Sequence, residues 1–234
     1  MTPPERSPGS PFTGKRILDL ALLAVGALPA VLVGLACGLL VRASSPGPVL
    51  FRQERVGRDG RPFIAFKFRS MRDGPNPLYP DASRITPVGR VLRRTSLDEL
   101  PQLINVLRGE MSIVGPRPAL RYQVGRYDAV QRGRLAVRPG ITGLAQINGR
   151  NEIAWGERIA WDLQYVEQQS VGLDLTIIAR TFVVVALGRG VHGHPADDPI
   201  AAVPEAEPKG DPTDTAHTEL AGRAPTSSAI DRQT

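Results

Sequence analysis

The sequence predicts a mainly helical α+β protein whose amino end enters a membrane. Two observations carry the membrane half of that expectation and one the globular half. Residues 20–41, LALLAVGALPAVLVGLACGLLV, hold 22 residues without a charge, enough as a helix to cover about 30 Å of hydrocarbon. Basic residues flank the run, with Lys15 and Arg16 before it and Arg42 after it. Further along, apolar residues recur at helical spacing in several segments, while strand-like stretches are few and short.

Four regions follow from composition. Residues 1–13 are rich in Pro, Ser and Gly and read as flexible. Residues 14–43 hold the membrane helix, residues 44–190 a globular domain, and residues 191–234 a disordered acidic tail without periodicity. The apolar run exceeds a signal-peptide core, and SSPGP at 44–48 is no cleavage site leading into a secreted domain. Pro29 lies near the centre of the run, where a proline costs an interior helix turn about 3 kcal/mol. A kinked span tolerates that cost, and a re-entrant hairpin uses it as its bend. Asp19 disfavours deep immersion. Positive charge at both ends fits a hairpin returning to the cytoplasmic side, but the residues alone leave both topologies open.

In the globular part, Gly57, Asp59 and Gly60 supply turn chemistry between two short strands, the second over 62–69. Residues 72–83 read as a polar loop. From 86 to 107 the pattern turns helical, with Leu97, Leu100, Ile104 and Leu107 on one face. Ser96 and Glu99 satisfy a capping box starting at Leu97; Pro101 offers a later start, with 96–100 as a turn. Residues 109–118 form a short apolar segment between turns, 120–134 a charged helix, and 137–150 a glycine-punctuated loop. A helix over 157–168 precedes an apolar stretch at 173–187, interrupted by Asp174, Thr176, Arg180 and Thr181, which suits an amphipathic helix on a membrane surface or against the core.

Charge narrows the partners. Residues 191–234 carry 3 basic and 8 acidic side chains, and residues 1–190 carry 26 and 15. A basic body expects anionic company: lipid head groups, phosphorylated substrates or nucleic acid. Nucleic acid finds no recognised motif and no aromatic stacking platform here. Cys37 is the only cysteine, which excludes an intrachain disulfide and argues against a structural zinc site.

Three features suit phosphate chemistry. Asp98 and Glu99 stand together near a helix start, with Arg93 and Arg94 just before them. An ionised Asp is a nucleophile toward phosphorus, and carboxylates are the usual protein ligands of Mg²⁺. Capping and a solvent-facing carboxylate explain the same pair without chemistry. Gly115-Pro116-Arg117-Pro118 presents one arginine on a stiff backbone, as a plain tight turn also would. Arg138 opens RPGITG, whose glycines suit an anion-binding loop but match neither a Walker loop nor a dinucleotide fingerprint. Lys67 and Arg69 add positive charge.

Long, ordered blocks then carry a resemblance: KRILDL at 15–20, SSPGPVLFRQERVGRDGRPFIAFKFRSM at 44–71, RITPVGRVLRRTSLDELPQLINVLRGEMSIVGPRP at 84–118, RPGITGLAQINGR at 138–150 and WDLQYVEQQSVGLDLTIIARTF at 161–182. Over about residues 14–190 the chain resembles the bacterial sugar transferases, specifically the small monotopic polyprenyl-phosphate phosphoglycosyl transferases. The resemblance implies an α-helical catalytic domain with small β pieces and a re-entrant membrane helix broken at Pro29, on the cytoplasmic face of the bacterial membrane. It implies Asp98 as nucleophile toward a UDP-sugar, Glu99 as helper, Mg²⁺ at Asp98 and Glu99, and Lys67, Arg93, Arg117 and Arg138 as phosphate and substrate contacts. Its acceptor is a polyprenyl (undecaprenyl-type) phosphate, and glycan-assembly glycosyltransferases are its expected partners. Leu144 departs from the aromatic residue often found there. The competing reading is a non-catalytic, membrane-anchored assembly protein of a polysaccharide complex.

Overall fold

The computed structural model describes residues 14–72, 82–149 and 152–187. The expected flexible amino end, most of the polar loop at 72–83, Arg150 and the acidic tail lie outside the described residues. Helix α1 (Lys15–Ser44) runs unbroken through Pro29. Its two ends dock on the same folded body. At the start, Arg16 donates to the Val106 and Leu107 carbonyls at 2.5 and 2.9 Å. Lys15 pairs with Asp174 at 2.5 Å, and Asp19 accepts from Ser112 Oγ and the Ile113 N–H at 2.8 and 3.1 Å. At the far end, Cys37 and Val41 pack with Phe68 and Leu92. Between these anchors Leu23 packs against the Val106 and Met111 cluster, while Val25, Leu28, Val31 and Leu32 are exposed, an apolar outer face that water would not favour.

Strands β1 (Leu50–Val56) and β2 (Pro62–Phe68) form the expected antiparallel hairpin, with Leu50 opposite Phe68 and Val56 opposite Pro62. Phe63 and Ala65 face inward onto Val106 and Met111, as alternation requires. Asp59 turns the chain with φ 57, a left-handed conformation that Asp tolerates better than most residues. Helix α2 (Pro87–Thr95) opens with Thr86, whose hydroxyl accepts from the Gly89 N–H at 2.9 Å. Gly89 lies so close to the backbone of Ser70 that a Cβ there would meet the Ser70 carbonyl oxygen at 1.9 Å.

The capping box does not form. Ser96 adopts φ 59 and ends α2, residues Leu97–Gln102 make a 3-10 turn, and α3 (Leu103–Arg108) follows. The later-start alternative is the nearer one. The expected single apolar face splits for the same reason. Leu97 and Leu100 pack toward α1 and α2, whereas Ile104 and Leu107 are exposed, because three residues per turn give way to 3.6 partway along.

The segments beyond α3 hold the largest departures. Strand β3 (Ser112–Val114) pairs in parallel with β4 (Gly140–Thr142), inside what reads as a loop. The helix expected over 120–134 is only α4 (Arg121–Gly125) and a 3-10 turn, Gln131–Ala136. An exchange of hydrogen bonds between Asp128 and Gln131 makes the turn between them. Short α5 (Leu144–Ile147), then α6 (Trp155–Gln168) and α7 (Val171–Ala186), complete the described chain. In α7 the polar interruptions do not share one outer face. Asp174 is buried and Thr181 bonds to Thr142 at 2.7 Å, while Leu175, Phe182, Val183 and Leu187 are exposed.

Candidate active site

Glycine-only packing mounts the site. The Gly115 N–H donates to the Thr142 carbonyl and the Gly140 N–H to the Pro116 carbonyl, both at 2.9 Å. A Cβ on Gly140 would meet the Gly115 nitrogen at 2.1 Å, and one on Gly143 would meet the Gly115 oxygen at 2.2 Å. The two chain segments therefore cross in backbone contact, which fixes Arg117 against the β4–α5 loop. Arg134, paired with Asp162 at 2.5 Å, also donates to the Arg117 carbonyl at 2.8 Å. The stiffness expected of Gly115-Pro116-Arg117-Pro118 thus has a structural support that its own prolines do not supply.

Asp98 and Glu99 sit in the 3-10 turn, and both are buried. Glu99 is clamped. Its Oε1 accepts from Lys67 Nζ at 2.7 Å and from Arg117 Nη2 at 2.6 Å, and Arg117 Nη1 reaches Oε2 at 3.3 Å. Burial alone would raise the Glu99 pKa, but Arg117 and Lys67 hold it far below the usual carboxylate range. Asp98 makes no hydrogen bond or ion pair among the described residues. Burial, and then the charge of Glu99, push its pKa up to about 6 against the opposing pull of Lys67, Arg117 and Arg93. At neutral pH it is a mostly ionised carboxylate left without a hydrogen-bond donor.

The pair opens on a cleft of about 190 Å³ whose lining includes Lys67, Arg93, Asp98, Glu99, Arg117 and Arg158. Lys67, Arg93, Arg117, Asp98 and Glu99 are thus gathered at one place, from β2, α2, the 3-10 turn and the segment after β3. Arg138 is not among the lining residues. It is half-buried beyond the β3–β4 crossing, and burial together with Arg58 and Arg16 lowers its pKa. Pro29 is exposed on α1, and the break expected there does not form: the helix continues through it to Ser44.

Two contributors, Arg55 and Arg158, escaped the sequence reading, and a third, Gln146, follows the RPGITG segment that reads as a candidate anion-binding loop. Arg55 on β1 stands behind Arg117 and donates to the Pro118 carbonyl at 3.1 Å, its pKa brought down to about 10 by burial and Arg117. Arg158 enters the cleft from α6, 3% exposed, with its guanidinium over the Trp155 ring at 4.7 Å. Gln146 on α5 lines the cleft with a buried side-chain oxygen that has no hydrogen-bond partner. Of the two that escaped, only Arg55 had a legible signal, its place in the strand before Gly57.

Comparison with known proteins decides the family. The bacterial sugar transferase profile matches residues 11–188. The chain belongs to the bacterial sugar transferase family. The uncharacterized sugar transferase EpsL of Bacillus subtilis is 46% identical over 155 residues, covering 65% of this chain and 77% of its own. The exopolysaccharide production protein ExoY of Sinorhizobium fredii is 40% identical over 194 residues, 74% of this chain and 84% of its own. The UDP-glucose:undecaprenyl-phosphate glucose-1-phosphate transferase of Escherichia coli is 46% identical over 180 residues, 71% of this chain but 39% of that protein. In this sugar transferase the matched region spans every element that builds the cleft, so the chemistry of a transferase is sought there.

Proposed function

We propose that this enzyme transfers a sugar-1-phosphate from a UDP-sugar to a polyprenyl phosphate in two steps at Asp98. The observation that carries the reading is the division of labour between neighbouring carboxylates: Glu99 is held by two cations, and Asp98 is buried, ionised and without a donor. In the first step an Asp98 oxygen forms a bond to the β-phosphorus of the donor. The bond from that phosphorus to the bridging oxygen breaks, and its electron pair leaves with UMP. In the second step a phosphate oxygen of the polyprenyl phosphate attacks the same phosphorus, and the Asp98 carboxylate departs unchanged. Taking the substrates in turn spares one basic cleft from holding two large anions together.

Lys67 and Arg117 keep Glu99 ionised and leave positive charge facing the phosphoryl oxygens, and Arg93 adds to it from α2. Among the described residues no group of three or more His, Cys, Asp or Glu side chains gathers. The Asp98–Glu99 pair nonetheless fits Mg²⁺, which takes one or two carboxylates and completes its shell with phosphate oxygens and water. Bound there, it supplies charge neutralisation between carboxylate and diphosphate.

Helix α1, although unbroken at Pro29, fits a membrane element that does not carry the body across the bilayer and keeps it on the cytoplasmic face. Both of its ends dock on one charged, folded body, which cannot lie on two sides of a bilayer, and exposed apolar residues run along its outward face from Ile17 to Leu40. The outward apolar side of α7 suits a helix resting on the same surface. Purified protein given UDP-sugar, Mg²⁺ and polyprenyl phosphate should release UMP, and Asp98→Asn and Asp98→Ala should abolish that release. Full activity in either variant rules out the covalent route.

A further inference from the structure

The cleft has two walls of different character. On one, Asp98 and Glu99 stand with Lys67, Arg117 and Arg93, the three cations that most influence the Asp98 carboxylate. The rest of the lining carries Gln146 of α5 and Arg158 of α6, beside Thr181, Val184 and Val185 of α7. Displacement at phosphorus places the leaving oxygen opposite the nucleophile. With a sugar-phosphate at Asp98, the departing phosphate and its nucleoside must therefore point away from the acid pair, toward the second wall.

That wall has the matching chemistry. Arg158 is a buried cation whose guanidinium plane is fixed over Trp155, and arginine suits bidentate phosphate contact. The Gln146 amide is oriented by its own nitrogen, which donates to the Ile141 carbonyl at 2.7 Å. Its oxygen is thereby left as an unsatisfied acceptor, and a buried acceptor without a partner costs free energy until a donor meets it. A nucleoside monophosphate offers both an anion and N–H or O–H donors. We propose that the α5–α6 wall is the subsite for the nucleoside-monophosphate half of the donor, with Arg158 taking up the charge of the departing phosphate and Gln146 accepting from the nucleoside. The assignment rests on the two-step reading above and adds to it which side of the cleft holds the leaving group.

The test uses the full chain in detergent with Mg²⁺ and UMP itself as probe. Calorimetry should find UMP bound about 10- to 100-fold more weakly by Arg158→Met, the range of one charge-assisted contact. Arg158→Lys should fall between Arg158→Met and wild type. Gln146→Glu, nearly isosteric, should weaken UMP binding at least about 10-fold by setting a negative charge in the subsite of an anion. In rapid-mixing assays Arg158→Met should slow UMP release, while protein already carrying labelled phosphosugar should pass it to polyprenyl phosphate at the wild-type rate. UMP affinity within twofold of wild type in folded Arg158→Met or in Gln146→Glu, or equal slowing of both half-reactions, overturns the subsite. Turnover by Asp98→Asn would instead overturn the covalent reading, independently of where UMP binds.

Discussion

Replacing Lys15 by methionine should be among the most damaging single changes outside the cleft. Lys15 Nζ lies 2.5 Å from Asp174 and 3.6 Å from Asp19, and both carboxylates are 1% exposed. Tyr165 adds its hydroxyl to Asp174 at 2.8 Å, but no second cation pairs with either acid among the described residues. Methionine keeps the volume and removes the charge, leaving two buried carboxylates without a counter-ion. Breaking a buried pair in this way costs about 3–5 kcal/mol. For a folded body of this size that corresponds to a melting point lowered by about 6–20 °C. The Trp155 and Trp161 fluorescence on α6, the helix that carries Tyr165, gives the unfolding signal. The double variant Lys15→Met/Asp174→Leu should recover a large part of the loss, because the stranded charge goes with the lysine. Lowering the pH should partly rescue the single variant. Burial already raises the Asp174 pKa against the opposing pull of Lys15, so removing Lys15 raises it further and protonation then relieves the penalty. A single variant melting within about 2 °C of wild type, a change of only about 0.5–1 kcal/mol, or a double variant no better than the single, would refute the reasoning.

In metal-free protein the Asp98 carboxyl, followed by carbon NMR, should titrate near pH 6. The ionised fraction falls as pH drops through that value, and added Mg²⁺ should move the midpoint down. Glu99→Gln should move the midpoint down, since a like charge disappears while Lys67 and Arg117 remain; an unmoved midpoint contradicts the electrostatics. Gly89→Ala should force α2 off the Ser70 backbone, lowering stability by about 1–3 kcal/mol and slowing UMP release by displacing Arg93. A wild-type melting point in that variant would show that the close approach is dispensable. With Cys37 replaced by alanine, cysteines at Thr13 and Ala43 should both react only from the cytoplasmic side, and labelling of either from outside intact cells argues for a span.

What was legible in the sequence had a period or a long block behind it. The β1–β2 hairpin alternates over seven-residue strands, α6 keeps its helical spacing, and α1 is uniformly apolar, so each appears close to where the residues predict it. The β3–β4 pair does not, because three-residue strands carry no period and their partnership depends on glycines 25 residues apart meeting in space. The 3-10 turn at Asp98 was hidden by a capping pattern that a left-handed Ser96 never forms. Helix α7 is amphipathic as its residues suggest, with Ile177 in the core and Thr176 and Arg180 exposed, but Asp174 and Thr181 turn inward to Lys15 and Thr142, which no period announces. Within the site, Asp98, Glu99, Lys67, Arg93 and Arg117 converge, whereas Arg138 falls beyond the crossing. Arg158 escaped notice because a single arginine in an amphipathic helix looks like any solvated charge until the fold turns it inward.

The crossing at Gly115, Gly140 and Gly143 limits how such an enzyme can diversify. No side chain fits at any of the three positions without driving the two segments apart, so the loop bearing Arg117 and the loop bearing Thr142 are bound to change together or hardly at all. Adaptation to a new sugar is then to be sought in side chains away from that junction, such as Val184 and Val185 of α7, which line the cleft.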